Sequence, residues 1–137
     1  MTKQQLWGGR FEKGLDASAV DFSFSLSFDY VLLPYDIDVN KAHSLALAEA
    51  GVLTDKECKQ LHQALDEVFH ESELALSQQP NDEDVHSFVE RLVIEKVGDL
   101  GKKMHTGKSR NDQVATDVRL YIKDQISENF LKKVWTT

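Results

Sequence analysis

Residues 105–117 read HTGKSRNDQVATD, a donor-rich stretch that runs without a break into a long helix-like segment. Ser109 begins a helix-capping pattern, and Asn111 is a second possible cap. Backbone N–H groups at a helix start, together with Lys108 and Arg110, favour a carboxylate or a phosphate. The same residues also suit a capped helix with solvated cations. Composition therefore leaves a small-anion site and a purely structural helix start equally open.

The segment behind this stretch is predicted to be one continuous helix over residues 110–137, because no Gly or Pro interrupts it. At 1.5 Å per residue it would be about 35–40 Å long. Its apolar stripe consists of Val114, Val118, Tyr121, Ile122, Ile126 and Phe130. A long amphipathic helix needs other helices to cover it. We expect either that the chain is a fragment or that this helix packs against other subunits.

Further helices are predicted upstream, which makes the fold class mainly all-α. Pro34 suits a helix start, and Gly51 suits the stop of that helix. Thr54 and Glu57 form a capping box for the next helix. An acidic run at 81–84 complements the dipole of a third helix. The predicted bounds are about 35–50, 55–76 and 81–98, with a loop over 99–109.

Residues 1–34 are predicted to be an extended arm. Within it, residues 21–29 alternate polar and apolar side chains, which is typical of a strand. Phe22, Phe24, Leu26 and Phe28 would then share one face. Because the sequence offers no partner strand, this segment is interpreted as extended. Only its period of two indicates a strand.

Composition excludes several classes of protein. The formal net charge of −7 argues against general binding to nucleic acid or to an anionic membrane surface. The apolar runs are too short to span a membrane, and the N-terminus lacks the apolar core of a signal peptide. The single Cys58 allows no internal disulfide and is expected to be a small core residue. A cytoplasmic location is the simplest expectation.

Several other site patterns fail on spacing. Gly107-Lys108-Ser109 matches the end of a phosphate-binding P-loop, but Lys102 stands where the first Gly is needed. The histidines lack metal-ligand spacing, so neither a metal nor a cofactor is predicted. Ser25 has no base at the spacing of a nucleophile triad. Asp84 lies two residues before His86 at a helix start, where acids also serve as dipole partners.

The sequence resembles the N-terminal part of argininosuccinate lyases, which belong to the fumarase/aspartase superfamily. The matching stretches, which spread over residues 6–124, are LWGGRF at 6–11, SLSFD at 25–29, NDEDVH at 81–86 with Glu90 after it, and the opening HTGKSRNDQVATD. Asp36 and Ala42-His43 fit as well. Lys108 stands where that family usually has Arg, which keeps the charge but loses the planar fork.

The resemblance implies a reversible elimination of argininosuccinate to arginine and fumarate in arginine biosynthesis. It implies substrate contacts from Ser25, Thr106, Ser109, Arg110 and Asn111, with support from Asp29, Asp84, His86 and Lys108. The family forms homotetramers whose sites combine three subunits around a central helical bundle. Residues 1–110 would be the N-terminal helical domain, and residues 111–137 would start the bundle.

The acid and base residues of that family lie in later segments that do not occur in these 137 residues. We therefore expect this chain alone to be inactive. Two alternatives stay open from the sequence: another fumarate-releasing lyase of the superfamily, or a crystallin-like relative that serves as a packing protein. The implied partner is the small-molecule substrate, without nucleic acid or membrane.

Overall fold

A computed structural model describes residues 22–131, without the side chains of 129–131, and this part is helical with no strand. The α-helices are α1 (Leu26–Asp29), α2 (Leu33–Glu49), α3 (Asp55–Ser77), α4 (Val85–Val97), α5 (Asp99–Lys103) and α6 (Arg110–Gln125). A 3-10 turn over Tyr30–Leu32 joins α1 to α2, and π-helical turns over Ile126–Leu131 follow α6. The LWGGRF stretch and the first part of the predicted arm lie outside the described residues.

Local signals set the ends of the long helices much as predicted, except that α4 begins at Val85, after the acidic run, and not at residue 81. Pro34 lies in the first turn of α2, and Gly51 follows α2 with a φ of 73°. That left-handed conformation costs Gly little. The capping box of Thr54 and Glu57 at the start of α3 is complete in both directions. Gly98 closes α4 as predicted.

The core lies where α2, α3 and α4 pack together. Seven of its side chains have no exposed surface: Leu61, Leu65, Val68, Val85, Phe88, Val89 and Val93. Cys58 is a buried free thiol, as predicted. In the described part of the chain, no helix is both long and apolar enough to cross a membrane.

The prediction of an extended segment at the end of the arm is wrong for residues 26–33, which are helical. Leu26 is buried, but Phe22 and Phe28 are 94% and 67% exposed, so the alternating residues do not share a buried face. The backbone N–H groups of Ser25 (2.8 Å) and Leu26 (3.3 Å) donate to the carbonyl of Glu83, and those of Phe28 and Asp29 donate locally to the carbonyl of Ser25. Without a partner strand, a helical turn satisfies the backbone groups that a lone strand would leave unpaired.

Two predictions for the second half of the chain are also corrected. The predicted loop over 99–109 contains α5, where Gly101 packs so closely that a Cβ atom would lie 2.9 Å from a side-chain carbon of Ile94. The final helix stays helical as far as the described residues extend, but it changes from α-helical to π-helical turns after Gln125. Within this chain Gln113 and Asp117 face the interior, and the apolar stripe is left partly uncovered, with Ile122 48% exposed.

Candidate functional site

The donor-rich stretch forms a tight loop that delivers its side chains to the start of α6. The loop turns at Gly107, whose φ is 70°, and the backbone N–H of Lys108 donates to the carbonyl of His105 (3.2 Å). Ser109 is the helix N-cap, and its hydroxyl accepts from the backbone N–H of Asn111 (3.2 Å). This confirms Ser109 as the cap.

Asn111 keeps its side-chain amide free for other partners. The residue is exposed, and among the described residues its side chain has no hydrogen-bond partner, whereas its backbone N–H donates to Ser109. Since Ser109 already caps the helix, the second capping role considered for Asn111 is not used. The amide of Asn111 offers both donors and an acceptor at the positive end of a helix dipole.

Arg110 is held in place by two side chains rather than pointing freely into solvent. Its guanidinium donates to Glu90 Oε2 (3.1 Å) and to Gln113 Oε1 (3.1 Å). Nδ1 of His105 lies 3.9 Å from the same Glu90 oxygen. Burial lowers the pKa of His105, and the charge of Glu90 opposes this shift. The loop therefore carries a positive side chain whose direction is fixed by a half-buried carboxylate.

A second group of predicted residues meets at the start of α4. Asp84 is the N-cap, and its carboxylate accepts from the backbone N–H of Ser87 (2.6 Å). The carboxylate of Asp29 accepts from the hydroxyl of Ser25 (2.5 Å) and from the backbone N–H of Val85 (3.1 Å). Burial raises the pKa of Asp29, against the effect of these two hydrogen bonds. Asp29 thus fixes the orientation of the Ser25 hydroxyl.

A buried polar cluster connects the two helix starts. Its centre is Asp36 of α2, which has no exposed surface. Oδ1 of Asp36 accepts from Nδ1 of His86 (3.0 Å) and from the amide of Gln113, and Oδ2 accepts from the amide of Asn40 (3.0 Å). The first turns of α4 and α6 are thereby tied to one carboxylate. We call Asp36, Asn40, His86, Gln113 and Asp117 the Asp36 cluster.

Asp117 is the member of the Asp36 cluster whose buried carboxylate is not satisfied by hydrogen bonds. Its Oδ2 lies 3.3 Å from Nδ1 of His86, but neither carboxylate oxygen has a well-directed hydrogen-bond donor in the described structure. Burial and the charge of Asp36 raise the pKa of Asp117 to about 7. Burial lowers the pKa of His86, but its hydrogen bond to Asp36 and the surrounding carboxylates outweigh that effect, so the net shift is upward.

Asp117→Asn is expected to remove much of the pH dependence of folding. Because the pKa of Asp117 is raised from 3.8 to about 7, the folded state binds more protons than the unfolded state between these values. Stability therefore falls as the pH rises through that window. The variant should gain about 2–4 kcal/mol over the parent above that window.

Urea unfolding at about pH 5 and about pH 8 measures this difference. Asp112→Asn, an exposed change in the same helix, is the matched control. His86, whose pKa is also raised, should leave a smaller slope of the same sign in the variant. An unchanged pH dependence in Asp117→Asn would show that Asp117 is ionised in both states.

Asp36, His86 and Asp117 also have the ligand types of a metal site, and their ligand atoms lie within 4.8 Å of one another. No local pattern in the sequence identifies this trio, because its members come from three helices. The fit to a metal ion is poor, since both oxygens of Asp36 already accept N–H donors. Hydrogen bonds and protons account for the cluster without a divalent ion.

Lys108 points into the protein. Its ammonium group donates to Oδ1 of Asn40, which belongs to the Asp36 cluster. Burial lowers the pKa of Lys108, and the charge of Asp36 opposes the shift. The loop is also fastened on its other side, where Nε2 of His43 lies 2.9 Å from the carbonyl oxygen of Thr106.

The structure brings the predicted residues together as two groups rather than one. One group lies in the loop at 105–109, which we call the donor loop, and at the first residues of α6: Thr106, Lys108, Ser109, Arg110 and Asn111. The other group surrounds the start of α4: Ser25, Asp29, Asp84 and His86. Ser25 and Asn111 are not hydrogen-bonded to each other in the described residues. Their roles in binding stay predictions.

Sequence reasoning missed the cluster that joins the two groups. It did not place His86 in the interior, yet His86 is only 2% exposed. It assigned no role to Asp36, Asn40, Gln113 or Asp117. One signal was present: Asp36 with Asn40, and Gln113 with Asp117, are polar pairs four residues apart, which places each pair on one helix face.

Comparisons with known proteins agree with the resemblance. A family model described as Lyase matches residues 9–136. An argininosuccinate lyase from Caldanaerobacter subterraneus subsp. tengcongensis is 56% identical over 124 residues, which is 90% of this chain and 28% of that relative. The argininosuccinate lyase of Thermoanaerobacter pseudethanolicus is 51% identical with the same coverage.

A third similar protein is the argininosuccinate lyase of Legionella pneumophila (strain Philadelphia 1), which is 49% identical over 123 residues. That match includes 87% of this chain and 29% of the relative. The chain thus spans less than a third of the length of the curated relatives that it matches.

Proposed function

The chain belongs to the lyase family, and on that premise we propose that it is the N-terminal part of an argininosuccinate lyase. Such an enzyme eliminates fumarate from argininosuccinate to give arginine. The observation that carries the proposal is the donor loop: it places an unoccupied Asn111 amide and a fixed Arg110 at the positive end of α6. This arrangement is suited to a carboxylate.

The proposed reaction explains why such a loop is useful. Removal of a proton beside a carboxylate builds negative charge on that carboxylate in the transition state. Donors that are already in position stabilise this charge without reorganising. Ser109 and Glu90 hold the backbone and the guanidinium of the loop in place before substrate arrives. Ser25, Thr106, Ser109, Arg110 and Asn111 are the proposed substrate contacts.

The second group would support the site from the start of α4. Asp29 accepts a hydrogen bond from the Ser25 hydroxyl. The lone pairs of that hydroxyl can then accept a hydrogen bond from a donor group of the substrate. Argininosuccinate carries an amino group and a guanidino group that are suitable donors. Asp84 and His86 would act indirectly, by fixing the first turn of α4.

A chimera tests the proposed function. This chain would replace the matching segment of the Caldanaerobacter subterraneus argininosuccinate lyase, which is 56% identical over 124 residues. We expect the chimera to release fumarate from argininosuccinate, followed by ultraviolet absorbance. A chimera that folds and is active only on other fumarate-yielding substrates would favour a sister lyase. A folded chimera that is inactive on all of them would favour the packing-protein alternative.

The 137-residue chain alone is expected to show no turnover of argininosuccinate. It spans 28% of the Caldanaerobacter subterraneus relative, and no acid or base for the reaction is assigned within it. The assay is the same fumarate measurement, with the chimera as the positive control. Turnover by the purified chain above a buffer blank would contradict this expectation and would require an acid and a base among its own residues.

We further propose that the complete protein is a homotetramer in the cytoplasm, with α6 as the first helix of a central bundle that begins near residue 111. Val118, Ile122 and Ile126 are 36%, 48% and 49% exposed, four residues apart along one side of the helix. An apolar stripe of this kind is typical of a surface that another helix covers. Asn111 and Ala115 continue the same face towards the loop. The buried free thiol of Cys58 suits a reducing compartment.

Ile122→Asp in the chimera is expected to break the assembly into smaller species, because a charge would be placed on the surface that helices of other subunits cover. Size-exclusion chromatography with light scattering measures the mass. Lys123→Gln, which makes the same one-unit change of charge at the neighbouring exposed position, is the control. A tetramer that persists in Ile122→Asp would place the subunit contact elsewhere.

A further inference from the structure

We propose that Lys108 is a positioning residue that fixes the donor loop to α2 through the side chain of Asn40, and is not itself a ligand of substrate. This inference rests on the proposed function for its catalytic consequence only. We call the contact between Lys108 and Asn40 the lock, and its geometry does not depend on the reaction. It also assigns a role to Asn40, a residue to which the sequence alone assigned no role.

The contact chain runs inward from the loop. The ammonium group of Lys108 donates to Oδ1 of Asn40. The amide of Asn40 donates in turn to the backbone carbonyl (2.9 Å) and to Oδ2 (3.0 Å) of Asp36. Asn40 is 1% exposed, so its amide can use only partners within the protein. Both ends of that amide are satisfied only when Lys108 is in place.

Charge supports the same placement. Asp36 and Asp117 are two buried carboxylates, and Lys108 is attracted to both. The ammonium group therefore compensates buried negative charge that His86 alone balances incompletely. Removing it would leave an acceptor of Asn40 unpaired and would increase the repulsion within the Asp36 cluster. Lys108 has a structural reason to face inward, away from a substrate at the Asn111 end.

The position of Lys108 in the loop gives this lock a consequence for the site. Lys108 lies between Gly107, where the backbone turns, and the Ser109 cap of α6. On the other side of the turn, His43 holds the carbonyl of Thr106. Two side chains of α2, Asn40 and His43, thus hold the loop on both sides of Gly107. Loss of one contact should loosen the proposed substrate contacts at Thr106, Ser109 and Arg110.

Amide hydrogen exchange of the chain tests the lock without any activity assay. Lys108→Met and Asn40→Leu should each raise exchange of the loop amides at 105–109 by about tenfold. Lys108→Met should add less than about a twofold further change when Asn40 is already Leu. Exchange across the α3 core reports global stability, and Lys102→Met controls for loss of charge at an exposed lysine. Unchanged loop exchange, or effects that multiply, would overturn the lock.

A measurement on the parent chain remains available if a variant does not fold. The ammonium protons of Lys108, followed by ¹⁵N NMR, should exchange with water about tenfold more slowly than those of Lys102. Lys102 is the reference because its side chain is 65% exposed. Equal exchange rates for the two lysines would contradict the contact with Asn40.

Kinetics of the chimera then separate positioning from mere folding. Lys108→Met should lower kcat by about tenfold, with a smaller change in KM, because displaced donors stabilise the transition state less. Lys108→Arg should recover part of the loss, since it keeps a charged donor for Asn40. An unchanged kcat in Lys108→Met would overturn the positioning role. If the parent chimera is inactive, the proposed function fails, and the exchange experiments still decide whether the lock exists.

Discussion

Asn111→Ala in the chimera is expected to lower kcat/KM for argininosuccinate by about 10² or more, as for other donors that stabilise a developing negative charge. The structural reason is that two different side chains at the start of α6 cap the helix and face the solvent. Ser109 caps the helix through the backbone N–H of Asn111, which leaves the exposed amide of Asn111 for substrate. Loss of the amide should therefore affect the reaction and leave folding almost unchanged.

The comparison needs both kinetics and stability. The kinetic constants of the variant and the parent would be measured with argininosuccinate, and unfolding would be followed by urea titration. Asn81→Ala, which truncates an exposed Asn outside the proposed site, is the matched control. A kcat/KM close to that of the parent would remove Asn111 from the proposed substrate contacts. A large loss of stability would instead assign it a structural role.

Asp36→Ala is expected to destabilise the chain by about 3 kcal/mol, the low end of the range for removing one partner of a buried charged pair. Asp36 has no exposed surface and accepts hydrogen bonds from His86, Asn40 and Gln113. Its loss leaves these buried donors unpaired. Part of the cost is offset, because Asp117 loses a repulsive neighbour and Nδ1 of His86 lies 3.3 Å from Asp117.

The free energy of unfolding from urea titration measures this effect, with Asp38→Ala as the control. Asp38 is an exposed aspartate in the same helix, so the control removes the same group without touching the cluster. Equal stabilities of the two variants would mean that the hydrogen bonds of Asp36 contribute nothing beyond those that water supplies. In the chimera, Asp36→Ala should also reduce kcat/KM, because the cluster joins the two helix starts.

The ends of the long helices were predictable because their causes are local. The side chain of Thr54 accepts from the backbone N–H of Glu57, and the side chain of Glu57 accepts from the backbone N–H of Thr54. Because both residues lie within one turn, the capping box is visible in the sequence itself. Gly51 and Gly98 take left-handed φ values where helices end, as Gly readily does. The buried residues Val85, Phe88 and Val89 of α4 stand at helical spacing, which is a local pattern of the same kind.

The Asp36 cluster and the orientation of α6 were not predictable in the same way. Apolar periodicity identified Val118 and Ile122 as part of a stripe that other helices would cover, but it did not show that Gln113 and Asp117 face the core of the described chain. Their burial is possible only because Asp36 and His86 arrive from two other helices. A buried polar residue depends on partners that are distant in sequence, and no local pattern identifies those partners.

The alternating segment at 21–29 illustrates a related limit. A period of two predicts a strand only if another strand supplies hydrogen bonds, and the described residues contain none. Leu26 enters the core from a helical turn, while Phe28 remains 67% exposed. The donor loop, in contrast, was located correctly by its composition, although Lys108 faces inward and the sequence did not show this.

In the proposed homotetramer, burial of the exposed apolar face of α6 would make the stability of the protein depend on its concentration. A surface that subunits bury only on association contributes nothing to a dilute monomer and its full free energy to an assembled one. The midpoint of thermal unfolding should then rise with protein concentration. A midpoint measured for such an assembly would have meaning only together with the protein concentration, and burial of Val118, Ile122 and Ile126 would supply part of the free energy of association.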